Sequence, residues 1–348
     1  QLKDFKKLLV QYRTLPQHFV RDVILKATSN DMMNSIARSV LTLFCYDKNA
    51  NDTSIDNVLR QCIQLISVFP LLSVYGYHAY NHYQRDNRLY IHRAEPTMST
   101  AEVILWLLRP DRHDTPLEAK VLDMALILHM EHGGGNNSTF TVRVTSSSGT
   151  DTYSSIAAAI GSLKGPLHGG ANAKVMEMLH YVRENTDPAD DGSVTDYLNR
   201  LLDREAGDHS GKLYGLGHAV YTMSDPRAVM LKKYARSMAE KKGFTADFEL
   251  LEKIETLGIR LLQERRRSDT PMCANVDLYS GLVYTMLGIP EELFTPLFAS
   301  ARISGWCANR IEEILTGKRI MRPAYRAVTI RGEYVPIEAR TPQLLPEA

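Results

Sequence analysis

Apolar residues return at helical spacing over most of this chain, with polar residues filling the positions between. In "TPLEAKVLDMALILHMEH", Leu117, Val121, Met124 and Leu128 mark one face, which His132 continues one turn further on. Thr115 stands as the N-cap of that run, Pro116 at its first helical position and Glu118 at N3. "SSIAAAIGSLKG" predicts a small-residue helix stopped by Gly165 and Pro166. A new helix is expected just after His168, with Val175, Met178, Leu179 and Val182 inward. "SDPRAVMLKKYARSMAEKKG" reads as a helix capped by Ser224 or Asp225, with Pro226 at N1 and a stop at Gly243. "VDLYSGLVYTMLG" buries Val276, Tyr279, Val283 and Met286, and Ala301, Gly305 and Ala308 form a small-residue stripe that would admit another helix. Strand signals are few. "TFTVRVT" at 139–145 alternates like a strand but fits a helix equally well, and "AVTIRGEYVPIEAR" predicts a short hairpin. The polar stretches 183–212 and 263–272 read as loops. The expected class is mainly α.

Composition narrows the function. The 348 residues suggest two domains, or one large core with a satellite. A net charge of +1 provides no global field for nucleic acid or a membrane surface, so a polyanionic ligand needs a local cluster of Lys and Arg. Cys45, Cys62, Cys273 and Cys307 form no CxxC pair, which favours a reducing compartment over a disulfide framework. With no signal peptide at the start, a cytoplasmic location is expected. The longest apolar stretch, 62–75, is broken by Gln64, Ser67 and Pro70, which argues against a spanning helix. "QLKDFKKLLVQYR" opens without Met and inside an amphipathic pattern, so the chain reads as a fragment whose first elements are absent.

Of eleven histidines, His132, His168 and His218 sit against glycine, in "HMEHGGGNNS", "GPLHGGAN" and "GLGHAVY". A turn that happens to contain His accounts for any one of them; three at helix edges point to a backbone bent around a ligand. His168 precedes a predicted helix start, where free N–H groups and partial positive charge disfavour imidazolium. A neutral imidazole there suits donation to a developing oxyanion, and the small neighbours are expected to leave room for the ligand. Arg227 falls in the first turn of its helix, where a cation is disfavoured; it is either a solvated surface arginine or a fork aimed at a carboxylate. Asp277 in "ANVDLYSG" is either an N-cap or a catalytic acid/base. His78 and His82 have metal-binding i,i+4 spacing but lack the Glu of HExxH, so a buried or surface pair is the plainer reading. There is no GxGxxG, Walker loop or GxSxG, and no metal is expected.

Taken together and in order, "GPLHGGAN", "GLGHAVYTMSDPR" and "NVDLYSGLVYTMLGIPEELFTPLFASARISGW" closely resemble the citrate synthase family, and "HMEHGGGNNSTF" and "RIMRPAY" fit the same pattern. The resemblance is strong from about position 101 onward, weaker before it, and implies an N-terminally truncated chain of bacterial type. It implies an all-α homodimer: a large domain of 1–168 and 282–348, and a small CoA-binding domain of 169–281 that closes over the site. The implied reaction condenses acetyl-CoA with oxaloacetate and hydrolyses the thioester to citrate and CoA, with no permanently bound cofactor. By the same resemblance Asp277 removes the methyl proton, His168 donates to the thioester oxygen, and His218 polarises the oxaloacetate carbonyl. His132, Arg227, Arg302 and, as a further addition, Asn136 bind oxaloacetate. Arg322 reaches the active site of the other subunit. Leu213, Tyr214, Gly215, Leu216 and Gly217 form the loop against the CoA adenine; Lys164 and Arg265 to Arg267 are candidates for its phosphates. Position 278 is Leu where many relatives have Phe, and 309 is Asn where His is frequent. Three other functions remain open at this point: 2-methylcitrate synthase using propionyl-CoA, a catalytically silent homologue, and a remote metal-dependent hydrolase built on His78 and His82.

Overall fold

The computed structural model describes residues 1–340 except 218–220, 222, 267–270, 318, 327 and 329–331. Thirteen α-helices run through the described residues: α1 (Leu2–Tyr12), α2 (Met32–Leu43), α3 (Ile55–Arg85), α4 (Thr100–Leu108), α5 (Pro116–His129), α6 (Asn137–Ser147), α7 (Thr152–Lys164), α8 (Ala171–Asn185), α9 (Asp191–Leu202), α10 (Pro226–Lys242), α11 (Thr245–Arg266), α12 (Asp277–Met286) and α13 (Phe294–Thr316). Among the described residues there is no strand, only an isolated bridge between Leu216 and Ala274. The α13 helix packs on α3, α5, α6 and α7, while α12 lies against α8 and α10. The site residues discussed below sit at the ends of these helices or on α13.

Local chemistry explains most boundaries. Thr115 accepts from the Glu118 N–H while the Glu118 carboxylate accepts from the Thr115 N–H, closing the expected capping box of α5. Its buried stripe is Ala119, Val121, Leu122, Ala125, Leu126 and His129, one position round from the expected face. The helix also ends at His129, so His132 does not extend that face but lies in the loop beyond. Asp225, not Ser224, caps α10, and Gly243 ends it at φ +79°.

One open alternative is decided and three expectations change. The alternating 139–145 segment is helical: Thr141 and Thr145 donate their hydroxyls to the i−4 carbonyls of Asn137 and Thr141, and Val142 is buried. Tertiary packing decides between two periods that a short β-branched run leaves open. The polar stretch 183–212 contains α9, capped by Asp190 and burying Val194, Tyr197, Leu198 and Leu201, and α11 runs into the other stretch as far as Arg266. Near the C-terminus 332–340 holds no strand but a 3₁₀ turn at Ile337–Ala339; much of the expected hairpin's first half lies outside the described residues. Finally, Pro70 sits inside α3, and that 31-residue helix is long and apolar enough to cross a membrane. Its most apolar window is 72% buried against the other helices, which makes it a core helix of this fold.

Candidate active site

Arg302 on α13 is fully buried. Its Nε donates to the His129 carbonyl at 2.7 Å and its Nη1 to Asn136 Oδ1 at 3.1 Å, while Nη2 has no hydrogen-bond partner among the described residues. The guanidinium lies over the Phe298 ring at 4.6 Å. Burial pulls its pKa down to about 10, opposed by Glu131, so it stays charged at neutral pH. An unpartnered N–H on a buried cation is costly unless an acceptor arrives, and a carboxylate matches the fork.

Asn136 begins α6 and relays this contact onward. Its Oδ1 also accepts from Ser138 Oγ at 3.0 Å, and Ser138 Oγ lies 3.0 Å from His168 Nε2 and accepts from Trp306 Nε1 at 3.1 Å. The Ser138 backbone N–H, in the first turn of α6, points to the same Nε2 at 3.4 Å. A backbone N–H only donates, so Nε2 accepts and the ring proton belongs on Nδ1. Burial first, then Arg302, lowers the His168 pKa and keeps the ring neutral. The helix end that meets the imidazole is therefore that of α6; the cap of α8 is Gly170, two residues past His168. Gly169 has a packing reason of its own. A Cβ on Gly169 would strike the Leu163 carbonyl and come within 2.8 Å of Thr295 Cγ2, so the turn is small because it packs on α7 and α13.

Asp277 is the first residue of α12 and not its N-cap, which is Val276; Asn275 Oδ1 accepts the Asp277 N–H at 3.0 Å. Among the described residues its carboxyl accepts no hydrogen bond. Burial raises its pKa to about 6, and Asp225 adds to the rise; Arg227 and Arg302 hold it back. A carboxylate raised toward neutrality and unused by its neighbours has the profile of a general base.

Arg227 forks onto the buried Asp225, with Nε to Oδ1 at 3.0 Å and Nη2 to Oδ2 at 2.8 Å. It is thus neither of the two expected forms alone: an acid inside the fold aims the cation. Its guanidinium lies 5.9 Å from the Tyr221 ring, whose centroid is 6.1 Å from that of the His132 ring. Asp225, Tyr221 and Ser138 are site-forming residues that the spacing of histidines and arginines does not reveal; "SDPR" signals Asp225 only as a cap.

A family model described as citrate synthase, C-terminal domain, matches residues 1–324. The citrate synthase of Deinococcus radiodurans is 35% identical over 341 residues, covering 98% of this chain and 84% of the relative. The chain belongs to the citrate synthase family. Citrate synthase 2 of Bacillus subtilis is 32% identical over 346 residues, 98% of this chain and 84% of the relative. Among solved structures, the citrate synthase of Pyrobaculum aerophilum superposes with a TM-score of 0.77 at 28% identity, covering 97% of this chain and 81% of the other. That of Thermoplasma acidophilum, solved as a ternary complex with carboxymethyl coenzyme A and oxaloacetate, has a TM-score of 0.78 at 26% identity, covering 97% and 84%. These neighbours share the all-helical citrate synthase fold and place the chain among condensing transferases.

The remaining candidates fall into place around this site, or outside it. In the 213–217 loop, Gly215 (φ +80°) and Gly217 (φ +90°) turn the chain so that it bonds the strand-like 273–275 segment: Gly217 N–H to the Cys273 carbonyl at 2.8 Å and Asn275 N–H to the Gly215 carbonyl at 2.9 Å. A Cβ on Gly215 would lie 2.9 Å from the Leu278 backbone, so the loop packs directly on the Asp277-bearing segment. Leu213 is buried, Leu216 packs on the core, and Tyr214 donates its hydroxyl to Asp208 at 2.6 Å. His218 and Arg267 lie outside the described residues. Lys164 is paired with Asp31 and Arg265 with Asp203. Lys174, Arg183 and Lys212 line a cavity of about 810 Å³ that begins beside Pro166 and Leu167, Lys174 being paired with Glu177 and Asp208 and Arg183 with Asp247; neither His168 nor Asp277 lines it. Arg322 is exposed. His78 and His82 bond separate backbone carbonyls, Leu107 and Asn87, at 2.8 Å each. Ala308, the last member of the small-residue stripe, is exposed, and at Gly305 the close neighbour is the loop after α5, at Met130 and Glu131, not a helix.

Proposed function

We propose that this protein is a citrate synthase: it condenses acetyl-CoA with oxaloacetate and hydrolyses the resulting thioester to citrate and CoA. The observation that carries this reading is an unpartnered carboxyl raised toward neutrality, Asp277, and a neutral imidazole, His168, both within the field of one buried arginine with an open N–H. In the proposed sequence Asp277 takes the methyl proton of acetyl-CoA. The C–H electron pair becomes the enol double bond while the thioester oxygen gains charge against the His168 Nδ1–H. The enol carbon then attacks the oxaloacetate ketone, and His218, by its family role, supplies the proton to the new alkoxide. Water finally cleaves the thioester. Base and oxyanion donor are needed together, because a carboxylate alone is far too weak a base for a thioester methyl. Arg302, Arg227, His132 and Asn136 hold the two oxaloacetate carboxylates and its carbonyl. No permanent cofactor takes part in this scheme.

The test follows CoA thiol release with a thiol-reactive dye. Release from acetyl-CoA that depends on oxaloacetate is expected, and a folded dimer that releases none overturns the proposal. Propionyl-CoA, the 2-methylcitrate synthase substrate, differs by one methylene, which is worth about 1–3 kcal/mol of discrimination. A kcat/KM higher for propionyl-CoA would reassign the acyl donor and leave the residue roles standing.

The proposal extends to assembly. A small domain of 169–281 closes on a large domain of 1–168 and 282–348, with the 213–217 backbone against the adenine and Lys212 of the neighbouring cavity facing the CoA phosphates. The working form is a cytoplasmic homodimer. Its support is the C-terminal segment, where Tyr325, Val328 and Tyr334 are 93%, 97% and 83% exposed on their own chain. On this reading the segment lies on the second copy and carries Arg322 into the partner's site. Arg322→Ala homodimers should lose most activity, and mixing them with His168→Ala subunits should restore part of it. No recovery in verified heterodimers would remove Arg322 from the site.

A further inference from the structure

Three contacts bind α13 to the loop that carries His132, and only two of them come from Arg302. At the start of the loop Arg302 Nε holds the His129 carbonyl, and at its end Arg302 Nη1 holds Asn136. Between them Glu131 Oε1 accepts the backbone N–H groups of His132 at 3.0 Å and Gly133 at 2.6 Å. Gly133 has φ +82°, so the carboxylate closes a tight turn immediately under His132. The other oxygen, Oε2, accepts from Asn309 Nδ2 at 3.2 Å.

Asn309 is itself fully engaged. Its second amide hydrogen goes to the Gly305 carbonyl at 2.9 Å, and its Oδ1 accepts from Arg143 Nη1 at 3.1 Å. Arg143 is anchored in turn by Glu312 at 2.7 Å and Glu313 at 3.3 Å. Arg302, Gly305 and Asn309 stand at i, i+3 and i+7, one face of α13. Gly305 is the gap in that face through which the loop approaches: a Cβ there would overlap the Met130 carbonyl and Glu131 Oε2. Neither Glu131 nor Asn309 is assigned a role at the reacting atoms.

We propose that Glu131 and Asn309 are a positioning pair for His132, setting oxaloacetate affinity through the shape of the 131–133 turn. This rests on the reading that His132 binds oxaloacetate. The pair fixes backbone, so its loss is felt at the substrate that His132 contacts and not at the acyl-CoA or at the Asp277 chemistry.

The experiment uses the full chain with wild type, Asn309→Ala, Glu131→Ala and the double variant. Thiol release is measured over a range of each substrate, and oxaloacetate binding is measured by calorimetry. Losing a hydrogen bond to a charged group should raise the oxaloacetate KM and Kd roughly tenfold to a hundredfold, with acyl-CoA KM and kcat within about twofold. The double variant should be little worse than either single one, because both break the same bracket. Equal changes in both KM values, or a fall in kcat with oxaloacetate KM unchanged, would show a merely structural role and overturn the proposal. Unchanged constants in folded variants would overturn it too. If the wild type itself neither binds oxaloacetate nor releases thiol, the reading of the site fails and takes this pair's role with it.

Discussion

Asp277→Ala is expected to lower kcat by roughly 10²–10⁴, the usual contribution of a positioned general base. The same group sets a pH limb. With its pKa raised to about 6 by burial, Asp277 is a base only when ionised, so kcat/KM should fall as pH drops through about 6. Below that point the loss approaches about tenfold per pH unit. The sign for stability is the opposite of that for activity. The unfolded chain ionises this carboxyl at its ordinary lower pKa, so the fold loses stability as pH rises from the ordinary carboxylate range through about 6. Asp277→Asn removes the buried charge and keeps the shape. It should therefore be nearly inactive yet melt no lower than wild type at neutral pH. Rates from pH 5 to 8, together with thermal melts of both proteins, check the pair of expectations. An Asn variant with wild-type kcat would remove Asp277 from the chemistry.

The second large effect belongs to His168. His168→Ala deletes the oxyanion donor, and removal of one such donor typically costs about 2.7–4 kcal/mol, or 10²–10³ in kcat. Oxaloacetate affinity should change little, because the groups assigned to its carboxylates, Arg302 and Arg227, are held by His129, Asn136 and Asp225 and not by this ring. The pH dependence also differs from that of Asp277. Burial and Arg302 keep the imidazole neutral, so no second limb from His168 should appear above pH 6.5. Steady-state kinetics with oxaloacetate binding measured separately tests the split. A variant with kcat intact, or one that loses oxaloacetate affinity in proportion to rate, would reassign the ring.

Much of this site was legible residue by residue. Histidines beside glycine, an arginine in a first helical turn and an acid ahead of an apolar run stand out because each breaks a local preference, and such breaks collect where chemistry is done. The reasons for them were less legible. His168 was expected to draw its neutrality from the helix that follows it, whereas burial and Arg302 lower its pKa and the N–H that meets its Nε2 is that of Ser138 in α6, thirty residues earlier in the chain. Its glycines were expected to make room for substrate; the packing of Gly169 on Leu163 and Thr295 is a further reason that only the fold supplies. Asp225 read as a cap; it is that and also the carboxylate that aims Arg227.

What the sequence determined by itself is what depends on neighbours along the chain. Capping boxes, proline starts, glycine stops and the 3.6-residue period are satisfied within one turn of backbone, so α5, α7, α8, α10, α12 and α13 follow from their own residues. What only the tertiary structure decided is what depends on another element arriving. That includes the helical state of 139–145, the α9 helix inside a polar stretch, the face that α5 buries and the burial of α3. It includes also the pKa of Asp277, the proton on His168 Nδ1 and the open N–H of Arg302. Burial and a partner's charge set each of these, and both are properties of distance in space, which spacing along a chain does not encode.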